Sequence, residues 1–316
     1  MKFDQIKREP LMQENPYREA IEFTQKNYID TSIEQIIAEK ERDHTHEKRL
    51  SWAWTTEALE LLIQRYSGGE PLDALVPYAE HAFAQFERHK LTYPEFALKP
   101  WEPDAYQYIL WLLSLAVLFN MPRHIEQIAS YISADPEDGQ DALLRRLFER
   151  VGITLPGDKL IHEHPYSELL NALSACGDEQ QQALRAYLKH WYRGMRDCYW
   201  HDRHKRNIEA FFGYWAFEAG MVTLLWEVDD APYRDLPYYP RDLVDDARDR
   251  QVMRSFPEGQ RIETYSGLRA NSGEPCPCTG VWICDDWAVG PQTFMQGLTL
   301  PTDNGRMVTW RLVKGI

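Results

Sequence analysis

Glu218 stands in the most apolar stretch of this 316-residue chain, FFGYWAFEAGMVTLLW. A carboxylate in such surroundings can act as a general acid or base, because burial lifts its pKa towards neutrality. It can equally be a structural acceptor for hydroxyl and N–H donors on a neighbouring helix. Catalysis would need a nucleophile, a metal or a cofactor group beside it. The sequence has no phosphate-binding loop, Rossmann glycine fingerprint, Gly-x-Ser-x-Gly or His-Glu-x-x-His motif to supply one. Glu218 is therefore read as structural and the chain as having no catalytic residues.

Metal chemistry is the next possibility. Histidines occur in three close pairs, His44/His46, His162/His164 and His201/His204. Only His201/His204 has a spacing that would share one face of a helix, and Arg203, Lys205 and Arg206 beside it would repel a cation. Cys276, Cys278 and Cys284 offer three thiolates, whereas a structural zinc site takes four ligands in paired spacings. The expectation is no metal ligand and no cofactor, with the histidines on surfaces and turns and the cysteines reduced and packed.

The acids are arranged more suggestively. The chain carries 49 Asp and Glu against 35 Lys and Arg, a net charge of −14. That balance disfavours direct nucleic-acid binding, which needs cations to displace counterions from phosphate, and favours a basic partner. Residues 229–250 read DDAPYRDLPYYPRDLVDDARDR. Asp229, Asp230, Asp235, Asp242, Asp245 and Asp246 interleave there with Tyr238 and Tyr239. Aromatic anchors ringed by steering charges are an interface composition, so these eight residues are the predicted partner-binding set. Asp242, two residues after Pro240, also suits the first turn of a helix. A second acidic stretch, residues 51–80, is the next candidate.

The elements that must position these residues are mostly helical. Apolar periodicity and breakers predict helices over about 51–66, 72–89, 104–119, 122–132, 140–151, 166–175, 179–195 and 205–226, with a short one starting near Pro240. The 205–226 helix is apolar nearly all round and belongs at the centre of a packed bundle. The longest apolar run, Tyr108 to Phe119, is too short to span a bilayer, and MKFDQIKREP lacks the apolar core of a secretion signal. After about residue 256, glycine and proline become frequent and short β-type runs appear at 280–283 and 307–313. The reading is a mainly α multi-helix bundle of two helical subdomains, 1–150 and 151–255, with a small β-rich module at 256–316. The expected location is cytoplasmic.

The stretch FFGYWAFEAG followed by VDDAPYRDLPYYPRDLV resembles the C-terminal domain of the PoNi-type immunity proteins of bacteria. Tyr214, Trp215, Glu218 and Pro240 are the structural positions of that motif. The helical texture of residues 14–150 matches the N-terminal domain of the same family, and SGEPCPCTGVW resembles a module appended in related immunity families. The resemblance implies a protein that binds and neutralises a nuclease toxin, typically a DNase delivered by a type VI or contact-dependent secretion system. Two other classes stay open: an enzyme or metal protein built on Glu218 or His201/His204, and a general helical adaptor.

Overall fold

The structure, a computed structural model, describes residues 2–33, 36, 44–133, 140–254, 269–277, 279–284, 292–302 and 305–315. Cys278 lies outside them. The chain divides into two compact units, residues 1–89 with 254–316, and residues 90–253. The fold is mainly α with a small antiparallel sheet near the C-terminus.

In the first unit, α1 (Phe3–Ile6), α2 (Glu14–Thr24), α3 (His44–Ser67) and most of α4 (Leu72–Thr92) supply the helices. Helix α3 starts seven residues earlier than periodicity predicts, because polar residues on an exposed first turn leave no apolar signature. Arg8 ties the N-terminal segment to the end of α3, donating to the carbonyl oxygens of Tyr66 and Glu70, both at 2.8 Å. Glu70, one of the acids in the 51–80 stretch, is already paired with Arg65 at 2.8 Å and accepts from Tyr17 Oη at 2.8 Å.

The sheet of this unit has the order β1–β4–β2–β3, every pair antiparallel, with β1 (Arg269–Asn271), β2 (Gly280–Cys284), β3 (Gln292–Phe294) and β4 (Thr309–Gly315). Trp282 and Trp310 are fully buried in its small core with Cys276, Cys284, Leu300, Val308 and Leu312. Phe294 meets Trp310 edge to face at 4.9 Å, an arrangement aromatic quadrupoles favour. The two predicted β runs are β2 and β4. The edge strands β1 and β3 are too short to leave a period-two signal.

The second unit holds α5 (Pro103–Leu118), α6 (Ile125–Tyr131), α7 (Ala142–Arg150), α8 (Glu163–Ala172), α9 (Gly177–Gly194), α10 (Arg203–Arg206), α11 (Phe217–Leu225) and all but the last residue of α12 (Arg241–Arg254). Pro103 at the first position of α5 needs no N–H partner. From Ala105 onward almost every residue of α5 is buried, and it packs against α11. Helices α8 and α9 pair along their apolar faces.

One predicted helix is corrected. The 205–226 stretch is not one helix, and its long helical part is α11 alone. Before it come the single turn α10, a 3-10 turn at Ile208–Ala210 and a non-helical run from Phe211 to Ala216. Gly213 has a φ of +106°, a conformation that a side chain would strain. The bulky aromatics around it favour extended backbone, and the Ala216 N–H is drawn to the Tyr238 carbonyl at 2.9 Å. Among the described residues, no helix is long and apolar enough to cross a membrane.

Candidate functional site

Helix α11 carries Glu218 in its first turn, where the helix dipole favours an anion, and its side chain is fully buried. Oε1 accepts from Tyr187 Oη and Trp191 Nε1 of α9, both at 2.6 Å, while Oε2 has no hydrogen-bond partner. Burial raises the Glu218 pKa to about 7 against the pull of those two donors. Nearby, Tyr166 Oη donates to Gln107 Oε1 at 3.1 Å and Tyr106 Oη to Asp141 Oδ1 at 2.8 Å. Asp141 also caps α7 through the Leu144 N–H at 2.9 Å and holds the Ile161 N–H at 2.8 Å. The centre thus ties α5, α7, α8, α9 and α11 together. Its hydrogen bonds link helices, although Glu218 Oε2 and Gln107 Nε2 have no partner among the described residues. The Cys198 thiol near the carboxylate is kept protonated by burial, its pKa pushed up to about 12.

The remaining positions of the motif serve packing. Tyr214 is buried, with its hydroxyl 2.7 Å from His204 Nδ1. Trp215 is buried and stacks on Phe217. Pro240 sits over Gly220 so closely that a Cβ on that glycine would lie 2.8 Å from the proline ring and 3.0 Å from Val244. Gly220 is a position that sequence reasoning passed over. Its signal is a glycine inside an otherwise apolar helix.

The 229–250 segment is organised around Asp230, which is only 4% exposed. Its carboxylate accepts from Tyr239 Oη at 2.9 Å, from Arg234 Nη1 at 3.2 and 3.1 Å, and from Arg248 Nη1 at 3.1 Å. Burial alone would raise its pKa, but the Tyr239 hydroxyl and the two guanidiniums reverse that and hold it below the usual carboxylate value. Arg234 continues as a fork onto both oxygens of Asp245, and Arg248 also reaches the Val228 carbonyl at 2.8 Å. Asp246 pairs with Arg250, whose guanidinium caps the end of α5 at the Leu118 and Phe119 carbonyls, at 2.8 and 2.9 Å.

The predicted partner-binding residues therefore separate by place. Asp230 and Tyr239 are interior, so their chemistry is satisfied within the fold and neither reaches a surface. Asp245 and Asp246 are partly exposed and ion-paired. Asp235 is exposed and pairs with Arg241 at 2.7 Å. Asp242 is half-buried in the first turn of α12, its Oδ1 accepting the Leu243 N–H at 3.0 Å. Asp229 is exposed and accepts the Ala231 N–H at 3.1 Å. Tyr238 is half-buried with φ +72° and stacks on Tyr192 at 5.5 Å. Sequence reasoning counted the arginines 234, 241, 248 and 250 only as charge. Their role as internal partners follows from side-chain reach across a turn and a helix, which linear spacing does not display.

His201 stacks on Tyr192 at 4.4 Å, and burial lowers the His204 pKa. His162 Nε2 lies 2.8 Å from the Pro100 carbonyl oxygen. Cys276 and Cys284 are buried in the sheet core. Among the described residues, no group of three or more His, Cys, Asp or Glu is placed to hold a metal ion.

No curated protein matches the chain. The crystal structure of protein PA2201 from Pseudomonas aeruginosa is similar over 79% of this chain and 94% of that one, with a TM-score of 0.60 and 20% identity, a likeness of fold alone. The description of the N-terminal domain of PoNe immunity proteins (PoNi) matches residues 8–130, and that of their C-terminal domain matches residues 139–243. The second match takes in Glu218 with Tyr187 and Trp191, Gly220, Asp230 with Arg234 and Tyr239, and Pro240. The chain belongs to the PoNe immunity protein family.

Proposed function

We propose that the chain is the immunity partner of a nuclease toxin, which it neutralises by binding and occlusion rather than by catalysis. Membership of an immunity family over both helical domains carries this reading. The finer reading is a cytoplasmic protein that meets a DNase delivered by a type VI or contact-dependent system. A DNase cleft is cationic because it must hold phosphate, and a chain of net charge −14 is attracted to it. The contact is assigned to the acidic segment, with Asp229, Asp235, Asp242, Asp245, Asp246 and Tyr238 facing or flanking the toxin. Asp230 and Tyr239 hold that segment from inside.

The test is co-expression of the chain with its cognate toxin, followed by growth and by DNA integrity. Wild type should restore both. Reversal of Asp245 or Asp246 would also break the partly buried Arg234 and Arg250 pairs, so the informative variant reverses the exposed Asp235 and Asp249 to Lys, which gives up only the solvent-exposed Asp235–Arg241 pair. That variant should keep its melting temperature and associate about 10-fold more slowly at low salt. Full toxicity in the presence of well-expressed wild-type chain would refute the immunity reading. Unchanged association of the variant would move the contact away from the acidic segment.

A further inference from the structure

Helix α9 buries Leu184, Tyr187, Leu188 and Trp191 and turns Arg185, Lys189 and Arg193 to solvent. The three cations follow one another at i, i+4 and i+8, so they form a stripe about 12 Å long. Among the described residues none of the three has a hydrogen bond or ion pair, although the chain has 49 acids to offer. Like charges four residues apart destabilise a helix. The helix dipole accounts for Arg193 in the last turn but not for Arg185 two turns earlier. Arg196, exposed just past the helix end, lies 4.0 Å from the carboxylate of its neighbour Asp197, so the unpaired stripe ends at Arg193.

The other end of this face has the opposite sign. Gln181, one turn before Arg185, donates to the Asp229 backbone carbonyl at 2.8 Å, which places that exposed acid at the head of the stripe. Beside Lys189 and Arg193, Tyr192 stacks between His201 and Tyr238 and donates to Asp202 at 2.6 Å. Tyr238 holds a positive φ of +72°, which a bulky side chain rarely adopts. Backbone strain of this kind collects at functional surfaces.

We infer that this face of α9 is a bipolar docking surface for the nuclease toxin, in which Arg185, Lys189 and Arg193 engage a cluster of carboxylates on the toxin and the Asp229 end engages its cations. The inference rests on the immunity reading and names the chemistry of the contact. A nuclease that works through metal ions holds them on carboxylates, inside a cleft whose walls are cationic for phosphate. The complement of such a site is a cationic stripe with an acidic flank. Nucleic acid fits less well. The net charge repels a polyanion at long range, and Tyr192, which could stack a base, is already covered by Tyr238 and His201.

The test compares the full-length wild type with Arg185→Glu/Lys189→Glu/Arg193→Glu for binding to the catalytically inactivated nuclease domain of the cognate toxin, and to a duplex DNA oligonucleotide. The triple variant should bind the toxin at least about 30-fold more weakly, with the loss shrinking at high salt. Its melting temperature should fall only slightly, through Arg193→Glu at the negative end of the helix dipole, because it breaks no hydrogen bond or ion pair among the described residues. Should it melt much lower, Lys189→Glu alone carries the test, with about a 5-fold loss expected. Failure of wild type to bind the toxin overturns the immunity reading and this inference with it. Tight wild-type binding that the triple variant retains overturns the docking face alone. DNA binding by wild type that the variant loses, with toxin binding intact, assigns the stripe to nucleic acid and overturns it as well.

Discussion

Glu218 shows why a buried ionisable residue in an apolar helix is ambiguous until its partners are known. Burial raises its pKa to about 7, a value suited to proton transfer. Its one engaged oxygen is nevertheless taken by Tyr187 and Trp191, and what surrounds it is a lattice of Tyr, Gln and Asp that links helices. Substitution separates the two roles. Glu218→Gln keeps the acceptor for both donors, so at pH 5.5, where Glu218 is largely neutral, it should change stability by less than about 1 kcal/mol. Glu218→Leu leaves the Tyr187 hydroxyl and the Trp191 N–H buried without a partner and should cost about 1–3 kcal/mol for each. Chemical denaturation of the three proteins checks this. Toxin protection lost in Glu218→Gln at undiminished stability would give the carboxylate a chemical role instead.

At the scale of elements, the joint between α11 and α12 decides where the acidic segment stands. Gly220 lets Pro240 and Val244 close on α11, so a side chain here must push the start of α12 outward. Gly220→Ala would gain up to about 1 kcal/mol of helix propensity. It would lose about 1–3 kcal/mol to overpacking against a rigid ring. The expected net effect is a lower melting temperature, together with weaker toxin binding because Asp242, Asp245 and Asp246 ride on α12. A rise in melting temperature would show that the contact relaxes freely. Much of the fold was legible in sequence: the α5 and α9 apolar stripes, the Pro240 start signal and the β runs near 280–283 and 307–313 lie where periodicity and breakers put them. What was not legible depended on side chains meeting across elements. Apolar periodicity ran through 205–226 because the aromatics of 211–215 are buried whether or not the backbone is helical. Only Gly213 hinted at the break. Counting charge in 229–250 could not reveal that Asp230 is the interior hub of its arginines.

For the whole molecule, these residues predict how stability changes with pH. The Asp230 carboxylate has its pKa lowered in the fold, so the stability it contributes is present above about pH 4 and is lost as pH falls through its folded value. Glu218 acts in the opposite sense. Its pKa rises from 4.5 to about 7 on folding, so the folded chain binds more protons between those values, and stability falls as pH rises through that window. A shift of this size corresponds to about 3 kcal/mol. Buried His81 opposes it: burial lowers its pKa from 6.5 to about 4, so the folded chain binds fewer protons between those values and stability rises with pH there. The two contributions nearly offset up to about pH 6.5, and net decline is expected only above that, as pH also moves away from the sequence pI of about 5.2. Two causes then compete for the decline above about pH 6.5: the net charge of −14, spread over the surface, and the single buried carboxylate. Salt separates them. At 1 M the screening length is about 3 Å, which silences surface repulsion but acts little on a buried group. In high salt, wild type should lose about 3 kcal/mol of stability relative to Glu218→Gln between pH 5 and 8, a difference in which the His81 contribution cancels. Parallel curves for the two proteins at high salt would mean that Glu218 titrates at an ordinary value in the folded chain. A decline that vanishes with salt in wild type would place it in the surface charge instead.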